Sequence, residues 1–439
     1  MTGYAMRRLK ILSLLGNNAM AIIPAKQPVI RNNDTEYPYR QDSDFYYLTG
    51  FEEGDALLVL YNKNQASSFT LFCKRRDPLQ ERWTGPLLGP EGAKNELGAD
   101  STFDISQIDS VMPILLQGID KVWFPLGKIA GFDEKVLRWR EHTHRSPREG
   151  KQTFSHILDI GQLLHASRVV KDREEIAKLR YAAKISAKAH QRLMTSCHPG
   201  MMEYELEAEF LHECVRQGCR QQAYPPIIAG GKNACILHYV QNNQKLQDGD
   251  LVLVDAGAEY QNYASDISRT FPVNGKFSKP QQAVYELVLS AQMGAIEKAK
   301  PGGAWDNMQQ AILEVMVPGL VDLGILEGDP KEIIAKGDYK KFYMHHSGHW
   351  LGLDVHDVGA YKENDVSRIL QPGMVFTVEP GIYLPPDCQD IPEKWRGIGV
   401  RIEDDILVTQ EGSEVLSQGV PKRVKDIEKI MNKTSYHIS

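Results

Sequence analysis

The sequence predicts two domains, a smaller α/β domain over residues 1–170 and a larger α+β domain over residues 171–439. In the first third of the chain, short apolar runs typical of buried strands alternate with polar, periodic segments. A helix-start signal follows, in which Asp172 stands three residues before Glu175. Beyond that point strand runs are interleaved with amphipathic helices, which favours an α+β domain with antiparallel pairing.

Four apolar runs predict the strands of the first domain, at residues 19–24, 56–61, 68–73 and 121–125. The segment before the first run predicts a short amphipathic helix. Its apolar stretch is too short for a signal peptide, and Gly16-Asn17-Asn18 interrupts it. Residues 138–152 are strongly polar and predict no regular element.

In the second domain, capping residues followed by apolar positions at helical spacing predict the helices. We expect one helix from Asp172, one over 204–217, one that begins at Ser278 and ends before Pro301, and one over 305–323 that kinks at Pro318. Four strand runs accompany them, at 250–256, 263–272, 374–379 and 399–408.

The composition argues against several classes of function. A formal net charge of -6 and a pI near 6.1 argue against nucleic acid as a main partner, because phosphate binding needs a basic face. No apolar run approaches the roughly 18 residues that a membrane helix needs, so we expect no membrane partner. The six cysteines form no Cys-x-x-Cys pair, which favours reduced thiols in a cytoplasmic protein.

Residues 345–357 carry the most informative motif of the chain. Four histidines and two aspartates fall within these thirteen positions, among glycine and small residues. That is too many titratable groups for a surface helix and too many for a dry core. Histidine is a common metal ligand and proton shuttle, so the segment predicts a functional site.

Four carboxylates flank this motif: Asp255 and Asp266 upstream, Glu379 and Glu403 downstream. Four negative charges in a buried cleft need two divalent cations to neutralise them, so these groups and one histidine suggest a two-metal site. Taken singly, the aspartates can instead end a strand or cap a turn. Glu403 can instead pair with Arg401 on a solvated strand face.

The spacing of the two aspartates predicts that they face each other. If the turn between their strands centres between Tyr260 and Gln261, Asp255 and Asp266 are cross-strand partners roughly 5 Å apart. Two carboxylates at that distance repel each other unless a cation lies between them. The neighbouring pair 404–405 is interpreted as turn or surface carboxylates.

Motifs of other catalytic classes are missing from the sequence. It contains no Gly-x-Ser-x-Gly elbow and no His-Glu-x-x-His motif. Gly230-Gly231-Lys232 lacks the spacing of a phosphate loop. Serine and cysteine nucleophiles therefore have no support.

The order Asp, Asp, His, Glu, Glu, with the aspartates eleven positions apart (266 − 255), resembles that of the pita-bread metallopeptidases. These include methionine aminopeptidase, prolidase and aminopeptidase P. The sequence is most similar to aminopeptidase P, in the strings 34–41, 236–239, 254–257, 349–357, 379–381 and 401–404. The strings span nearly the whole chain, and methionine aminopeptidase lacks a domain that matches the first of them.

The resemblance implies a creatinase-like α/β N-terminal domain and a pita-bread (creatinase/aminopeptidase-like) catalytic domain. It implies an aminopeptidase that hydrolyses the N-terminal Xaa-Pro bond of peptides and releases the first amino acid. The implied metal ligands are Asp255, Asp266, His349, Glu379 and Glu403. They would hold two divalent ions, usually Mn²⁺ in this family, and the oxygen-rich set agrees with that metal.

The resemblance also implies catalytic roles. Glu379 would move a proton to the leaving proline nitrogen. His345 and His356 would hydrogen-bond the scissile carbonyl oxygen as charge develops on it.

Three further residues would shape the substrate side, and one of them, His238, is also among the implied catalytic residues. His238 would hold the proline of the substrate, and Tyr383 and Arg401 would support the site around it. His346 departs from the family pattern, and we expect it to point away from the metals.

Two other functions fit part of the pattern. A prolidase-type dipeptidase of the same fold would cleave only Xaa-Pro dipeptides. A metal-free pita-bread protein would bind without hydrolysis, but such relatives lack metal ligands, whereas all five are present here.

The implied partners are peptides with proline in second position and further copies of the chain. The family forms homodimers or homotetramers through its N-terminal domain. Asp34 and Trp83 could then reach the cleft of a neighbouring subunit. Alternatively, Asp34 caps a turn and Trp83 fills the core of the small domain.

Overall fold

The structure is a computed structural model that describes residues 2–144 and 153–432. The chain divides into two units, Met1–Ser167 and Arg168–Ser439. The first is α/β and the second α+β, which confirms the predicted fold class, while the domain limit at 170/171 stays a prediction. In the described part of the chain, no helix is both long and apolar enough to cross a membrane.

Among the described residues of the first unit, six strands form one mixed sheet. The described strands of the unit, including two outside this sheet, are β1 (Ala19–Pro24), β2 (Ile30–Asn32), β3 (Thr35–Glu36), β4 (Leu57–Lys63), β5 (Ala66–Cys73), β6 (Ser101–Asp104), β7 (Lys121–Phe124) and β8 (His156–Asp159). The sheet order is β6-β5-β4-β1-β7-β8, and β2 and β3 form a separate hairpin. The helices are α1 (Gly3–Leu15), α2 (Ser43–Thr49), α3 (Glu81–Thr84), α4 (Gly89–Leu97), α5 (Ile108–Leu115), α6 (Phe132–His144) and α7 (Gly161–Val169).

All four strands predicted for this unit are confirmed, as is the short first helix. The prediction for residues 138–144 is wrong, because α6 covers them; residues 145–152 lie outside the described residues. Phe132, Val136 and Trp139 recur at helical spacing on α6 and are at most 8% exposed. Most of the remaining positions are polar, so one narrow apolar stripe was all that marked the helix.

In the second unit, helices alternate with short antiparallel ladders. The helices are α8 (Arg173–Ser196), α9 (Glu203–Arg216), α10 (Lys279–Lys298), α11 (Asp306–Asp322), α12 (Pro330–Lys336) and α13 (Val424–Asn432). The strands are β9 (Gln221–Gln222), β10 (Ile227–Gly230), β11 (Leu251–Asp255), β12 (Ala258–Tyr260), β13 (Tyr263–Ala264), β14 (Ser268–Pro272), β15 (Lys362–Glu363), β16 (Val366–Ser367), β17 (Val375–Val378), β18 (Gly381–Tyr383), β19 (Gly399–Arg401), β20 (Asp404–Val408) and β21 (Ser413–Val415). They pair in the orders β10-β11-β14, β13-β12-β9, β17-β20-β21, β18-β19 and β15-β16.

The four predicted helices correspond to α8, α9, α10 and α11. Asp172 and Glu175 form a capping box at the start of α8. Ser278 and Gln281 form another at the start of α10. Pro318 lies inside α11, and the kink itself stays a prediction.

Two predicted strands are broken in the middle. The run 263–272 splits into β13 and β14, and the run 399–408 splits into β19 and β20. At each break the chain leaves one ladder and enters another, since β13 pairs with β12 but β14 with β11, and β19 pairs with β18 but β20 with β17. Asp266 lies in the first break and Glu403 in the second. No glycine or proline interrupts either run at these positions, which is why the sequence did not reveal the change of sheet.

One apolar core joins α8, α9, α10 and α11 to these ladders. His190, on α8, is fully buried in it, and its Nε2 donates to the carbonyl of Ala256 at 2.9 Å. Burial lowers the pKa of His190 to about 4, because the charged imidazolium would lose its hydration. This bond ties the long helix to the residue after Asp255.

We predict that stability falls below about pH 6.5 in a manner that depends on His190. The unfolded chain takes up the proton near its ordinary pKa, whereas the folded chain takes it up only near pH 4, so the free energy of unfolding decreases as the pH falls between these values. From pH 7.5 to 5.0 the protein should lose about 2 kcal/mol more than His190→Gln, whose amide donates to the same carbonyl without titrating. Urea unfolding at both pH values measures this, and equal losses in the two proteins would contradict it.

Candidate functional site

Nine of the ten residues selected from the sequence line one cavity of about 550 Å³ in the second unit. They are His238, Asp255, Asp266, His345, His349, His356, Glu379, Arg401 and Glu403. The tenth, Tyr383, is buried beside the cavity and contacts His345 and Arg401. His346 contributes to the cavity wall as well, with an exposed side chain.

The two aspartates come from neighbouring strand segments, but they are not cross-strand partners. Asp255 ends β11 and pairs with Ser268. The predicted pairing of Asp255 with Asp266 is therefore wrong. The turn is formed by Gln261 and Asn262, both with positive φ (48° and 63°), and so lies one residue later than expected.

A tyrosine nonetheless joins the two carboxylates. The hydroxyl of Tyr224 lies 2.5 Å from Oδ1 of Asp255 and 2.5 Å from Oδ1 of Asp266. Between the aspartates, the chain passes itself closely at Gly257, where a Cβ would lie 1.7 Å from the carbonyl oxygen of Ser265. Glycine at this position is what allows both aspartates to reach one point.

His349 and Glu379 face each other across a short antiparallel pairing with β17. The N–H of Thr377 donates to the carbonyl of His349 at 2.9 Å. A Cβ on Gly348 would lie 1.9 Å from the carbonyl oxygen of Thr377, so only glycine permits this approach. As a result, Nε2 of His349 stands 3.6 Å from Oε1 of Glu379.

Arg401 and Glu403 meet at Ser268, the residue opposite Asp255. The Ser268 hydroxyl donates to Oε2 of Glu403 at 2.7 Å and accepts from Nε of Arg401 at 2.9 Å. Nη2 of Arg401 donates to Oδ2 of Asp255 at 2.6 Å. A solvated strand face is excluded, because Arg401 is 4% and Glu403 2% exposed.

Three of the predicted ligands form a compact donor group. Asp266, His349 and Glu403 each offer one atom, and these atoms all lie within 4.8 Å of one another. Nε2 of His349 is 3.3 Å from Oδ2 of Asp266. The imidazole therefore points between the carboxylates of Asp266 and Glu379.

The electrostatics of the cavity show an excess of negative charge. Burial raises the pKa of Glu379 to about 7, with His349 opposing the shift. Burial, reinforced by the other three carboxylates, raises the pKa of Glu403 well above its usual range. Burial also raises the pKa of Asp255, although Arg401 lowers it.

The pKa of the His349 imidazole shifts so as to favour the positively charged form. Burial lowers the pKa of His349, but the hydrogen bond to Asp266 and the charge of Glu379 outweigh it and raise the pKa to about 9. Positive charge is thus favoured where the ligand atoms converge. Carboxylate oxygens with one imidazole nitrogen are donors that Mn²⁺, Zn²⁺ and similar divalent ions accept, so the residues fit a metal centre.

His345 takes part in a chain of hydrogen bonds with Tyr383 and Arg401. Its Nδ1 donates to the carbonyl of His346 at 2.9 Å, so Nε2 is the acceptor for the Tyr383 hydroxyl, also at 2.9 Å. Nη1 of Arg401 donates to that hydroxyl at 3.0 Å. Burial and the charge of Arg401 lower the pKa of His345 to about 4, which keeps the ring neutral.

His356 and His238 line the cavity, and neither of them lies in a helix or a strand. The rings of His356 and His349 are 4.4 Å apart and nearly perpendicular. The residue after His356, Asp357, is buried and accepts from Nη2 of Arg168 at 2.5 Å and from Nζ of Lys171 at 3.0 Å. This ion cluster fixes the backbone beside His356.

Sequence reasoning missed three aromatic residues of the site. Tyr224 carries no periodic signal, since it precedes two prolines in a segment without a long element. Trp305 was assigned to a helix, yet it lines the cavity and packs on Trp350 with ring centroids 4.5 Å apart. Tyr361 stacks on the same Trp350 at 5.4 Å and extends this aromatic wall. The one signal in the sequence for this aromatic wall was Trp350, an aromatic residue next to the predicted ligand His349.

Comparisons with known proteins agree with this geometry. Residues 177–410 match metallopeptidase family M24, and residues 4–123 match the family described as aminopeptidase P, N-terminal domain. The chain is 44% identical to the Xaa-Pro aminopeptidase of Escherichia coli (strain K12), over 98% of this chain and 97% of that protein. It is 37% identical to human Xaa-Pro aminopeptidase 3, over 98% of this chain and 86% of that protein.

Solved structures give the same result. The aminopeptidase PepP of Pseudomonas aeruginosa superposes with a TM-score of 0.97 at 48% identity, covering 99% of this chain and 98% of that chain. A variant of Escherichia coli aminopeptidase P in complex with substrate superposes with a TM-score of 0.96 at 43% identity, covering 99% of both chains. The resemblance inferred from the motifs is confirmed.

We predict that Asp357→Asn destabilises the protein by about 3 kcal/mol or more, because it removes the negative charge between the buried cations of Arg168 and Lys171. The matched control is Glu414→Gln, which breaks the Arg180 ion pair at 2.6 Å, where both side chains are about a third or more exposed. That change should cost less than about 1 kcal/mol. Urea unfolding at pH 7.5 compares the two, and similar small losses would show that the Asp357 cluster is not a structural anchor.

Proposed function

This chain belongs to metallopeptidase family M24, and we propose that it is an Xaa-Pro aminopeptidase that hydrolyses the bond between the first residue of a peptide and a proline in second position. The observation that carries the proposal is the convergence of His349 with four carboxylates, none of them more than 17% exposed, in one cavity. The near full-length similarity to Xaa-Pro aminopeptidases supports the choice of substrate.

Two divalent metal ions, most commonly Mn²⁺, complete the proposed centre. Asp255, Asp266, His349, Glu379 and Glu403 would hold them. When bound, such ions supply Lewis-acid polarisation of a carbonyl group and lower the pKa of water. Two ions balance four carboxylates that are too close to remain charged without compensation.

The residues of the chain then have distinct roles. Glu379 accepts the proton of the attacking water and delivers it to the proline nitrogen as that nitrogen leaves. His356, on the wall beside His349, donates a hydrogen bond to the scissile carbonyl oxygen as negative charge develops there. His238 holds the proline side of the substrate at the cavity.

His345, Tyr383 and Arg401 act together in this proposal. Both ring nitrogens of His345 are engaged, one by the carbonyl of His346 and one by Tyr383. A hydrogen bond from His345 to the substrate therefore requires that one of these contacts be released. Arg401 donates to both Tyr383 and Asp255, and so it fixes the position of His345 and Tyr383 relative to the proposed metal ligands.

The location and assembly of the protein are also part of the proposal. All six cysteines are free, which suits the reducing cytoplasm. Trp83 is 86% exposed, so the alternative that it fills the core of the small domain is wrong. Asp34 is exposed as well. We propose a homodimer or homotetramer in which both residues reach the cleft of a neighbouring subunit.

An assay on Xaa-Pro-Xaa tripeptides and Xaa-Pro dipeptides, after chelation and with Mn²⁺ restored, tests the function. The tripeptide should release its first amino acid only with metal present. Cleavage of dipeptides alone would instead identify a prolidase-type enzyme, and no cleavage at all would leave a binding protein. Glu379→Ala, assayed in parallel, should lower turnover at least about a hundredfold.

We predict that His356→Ala lowers kcat while leaving the metal content unchanged, because His356 acts on the transition state and is not a ligand. A fall of about a hundredfold is expected for loss of one such donor. Turnover numbers and metal analysis of the same preparation check this. Loss of bound manganese in the variant would show that His356 is a ligand.

We predict that Trp83→Ala changes activity on longer peptides more than on tripeptides, since only longer substrates extend to a remote wall. The melting temperature should be nearly unchanged, because the side chain is 86% exposed. Kinetics on a series of peptide lengths check the effect. An unaltered length profile would retire the neighbouring-cleft contact.

A further inference from the structure

One buried carboxylate outside the proposed metal centre organises the wall that carries His238. Glu203 is the first residue of α9, and its side chain is 0% exposed. Four donors converge on it: the N–H of Gly230 (2.8 Å) and the amide of Asn233 (3.0 Å) on Oε1, the hydroxyl of Tyr239 (2.8 Å) and the N–H of Gln244 (2.8 Å) on Oε2. This set uses both oxygens of the carboxylate fully.

All four donors belong to one stretch of chain, residues 230–244, which we name the His238 segment. Its regular structure within these bounds is the end of β10 and one 3₁₀ turn, Gly231–Cys235. Between the second and third donors, Leu237 and His238 project into the cavity wall. The segment therefore takes its shape from Glu203 more than from a strand ladder.

The anchor also lies at the start of a helix. Glu203 stands at the N-terminus of α9, where the helix dipole favours a carboxylate. Its own N–H donates to the carbonyl of Gln244 at 2.9 Å, so backbone and side chain hold the same end of the segment. A charged acceptor makes these bonds stronger than bonds between neutral groups.

We propose that Glu203 is a positioning residue of the hydrolytic reaction: it fixes the His238 segment and so sets where His238 meets the proline side of the substrate. This inference rests on the proposed function. Glu203 is not among the described residues that line the cavity, so in this proposal it acts through His238. In this proposal, one group of residues positions the proline of the substrate, and a different group of residues holds the metal ions.

Replacing Glu203 with glutamine isolates this role. The side chain keeps its shape, but the amide nitrogen is a donor and faces two groups that also donate. Two of the four hydrogen bonds are lost, and the His238 segment is released on one side. The control is Glu205→Gln, which removes a charge from the same helix end, where Glu205 is exposed and accepts from the N–H of Met202.

We expect Glu203→Gln to raise KM for an Xaa-Pro-Xaa tripeptide about tenfold, with metal content and kcat within about twofold of the wild type. Glu205→Gln should leave KM unchanged. A purely structural role would instead lower the active fraction and the melting temperature without moving KM, and that result would overturn the proposal.

A double-mutant cycle with His238→Ala gives the decisive comparison. If Glu203 acts through His238, the tenfold effect of Glu203→Gln should vanish in the His238→Ala background. Additive effects would overturn the proposal. If Glu203→Gln does not fold, Tyr239→Phe removes one of the four donors in its place and should show the same loss of effect.

The cycle also separates this inference from the proposed function. Wild-type cleavage of the tripeptide tests the function, and an active wild type with an additive cycle would retire only the role of Glu203. Should the wild type prove inactive, the same cycle is measured on the Kd of the tripeptide by calorimetry. Non-additive Kd values would support the positioning role without turnover.

Discussion

The burial of four carboxylates in one cavity is the constraint on which the rest of the second unit depends. Desolvation raises the pKa of Glu379 and Glu403, and repulsion from the neighbouring carboxylates adds to that rise. Hydrogen-bond donors surround these carboxylates. The groups that face them are Tyr224 between the aspartates, Arg401 on Asp255, Ser268 on Glu403 and His349 between Asp266 and Glu379.

A second ion pair stands behind this cavity and holds its backbone. Arg269 and Asp404 are both fully buried, with Nη2 of Arg269 2.7 Å from Oδ1 of Asp404. Nη1 of the same guanidinium donates to the carbonyls of Ser268 at 2.9 Å and Glu403 at 2.5 Å. A buried pair of this kind is weak evidence for added stability, but here it joins β14 and β20, the strands that follow Asp266 and Glu403. The expectation that Asp404 and Asp405 lie at the surface is wrong, since both are at most 1% exposed.

The sequence predicted nine of the residues that line the cavity, but it revealed neither the aromatic residues Trp305 and Tyr361 nor how the backbone places the predicted residues. The order of the ligands and the histidine-rich segment required only residue types and spacing. The register of Asp255 was mistaken because it depends on a turn with two left-handed residues, and Gln261-Asn262 is a weak signal for one. The breaks at Asp266 and Glu403 depend on which ladder each half-strand joins, and that choice is made by tertiary pairing.

The two glycines beside the predicted metal ligands restrict which substitutions this protein can accept. At Gly257 and Gly348 a Cβ would stand 1.7 and 1.9 Å from a carbonyl oxygen of the backbone, which no rotamer change relieves. Exposed residues nearby can be replaced one at a time. At these two positions, however, any side chain would force the backbone beside a predicted ligand to move. A saturation library of the gene, selected for activity, should therefore return glycine alone at both positions while tolerating replacement at exposed sites nearby. Backbone packing thus excludes a side chain at the two positions that set the path of the chain beside the predicted ligands.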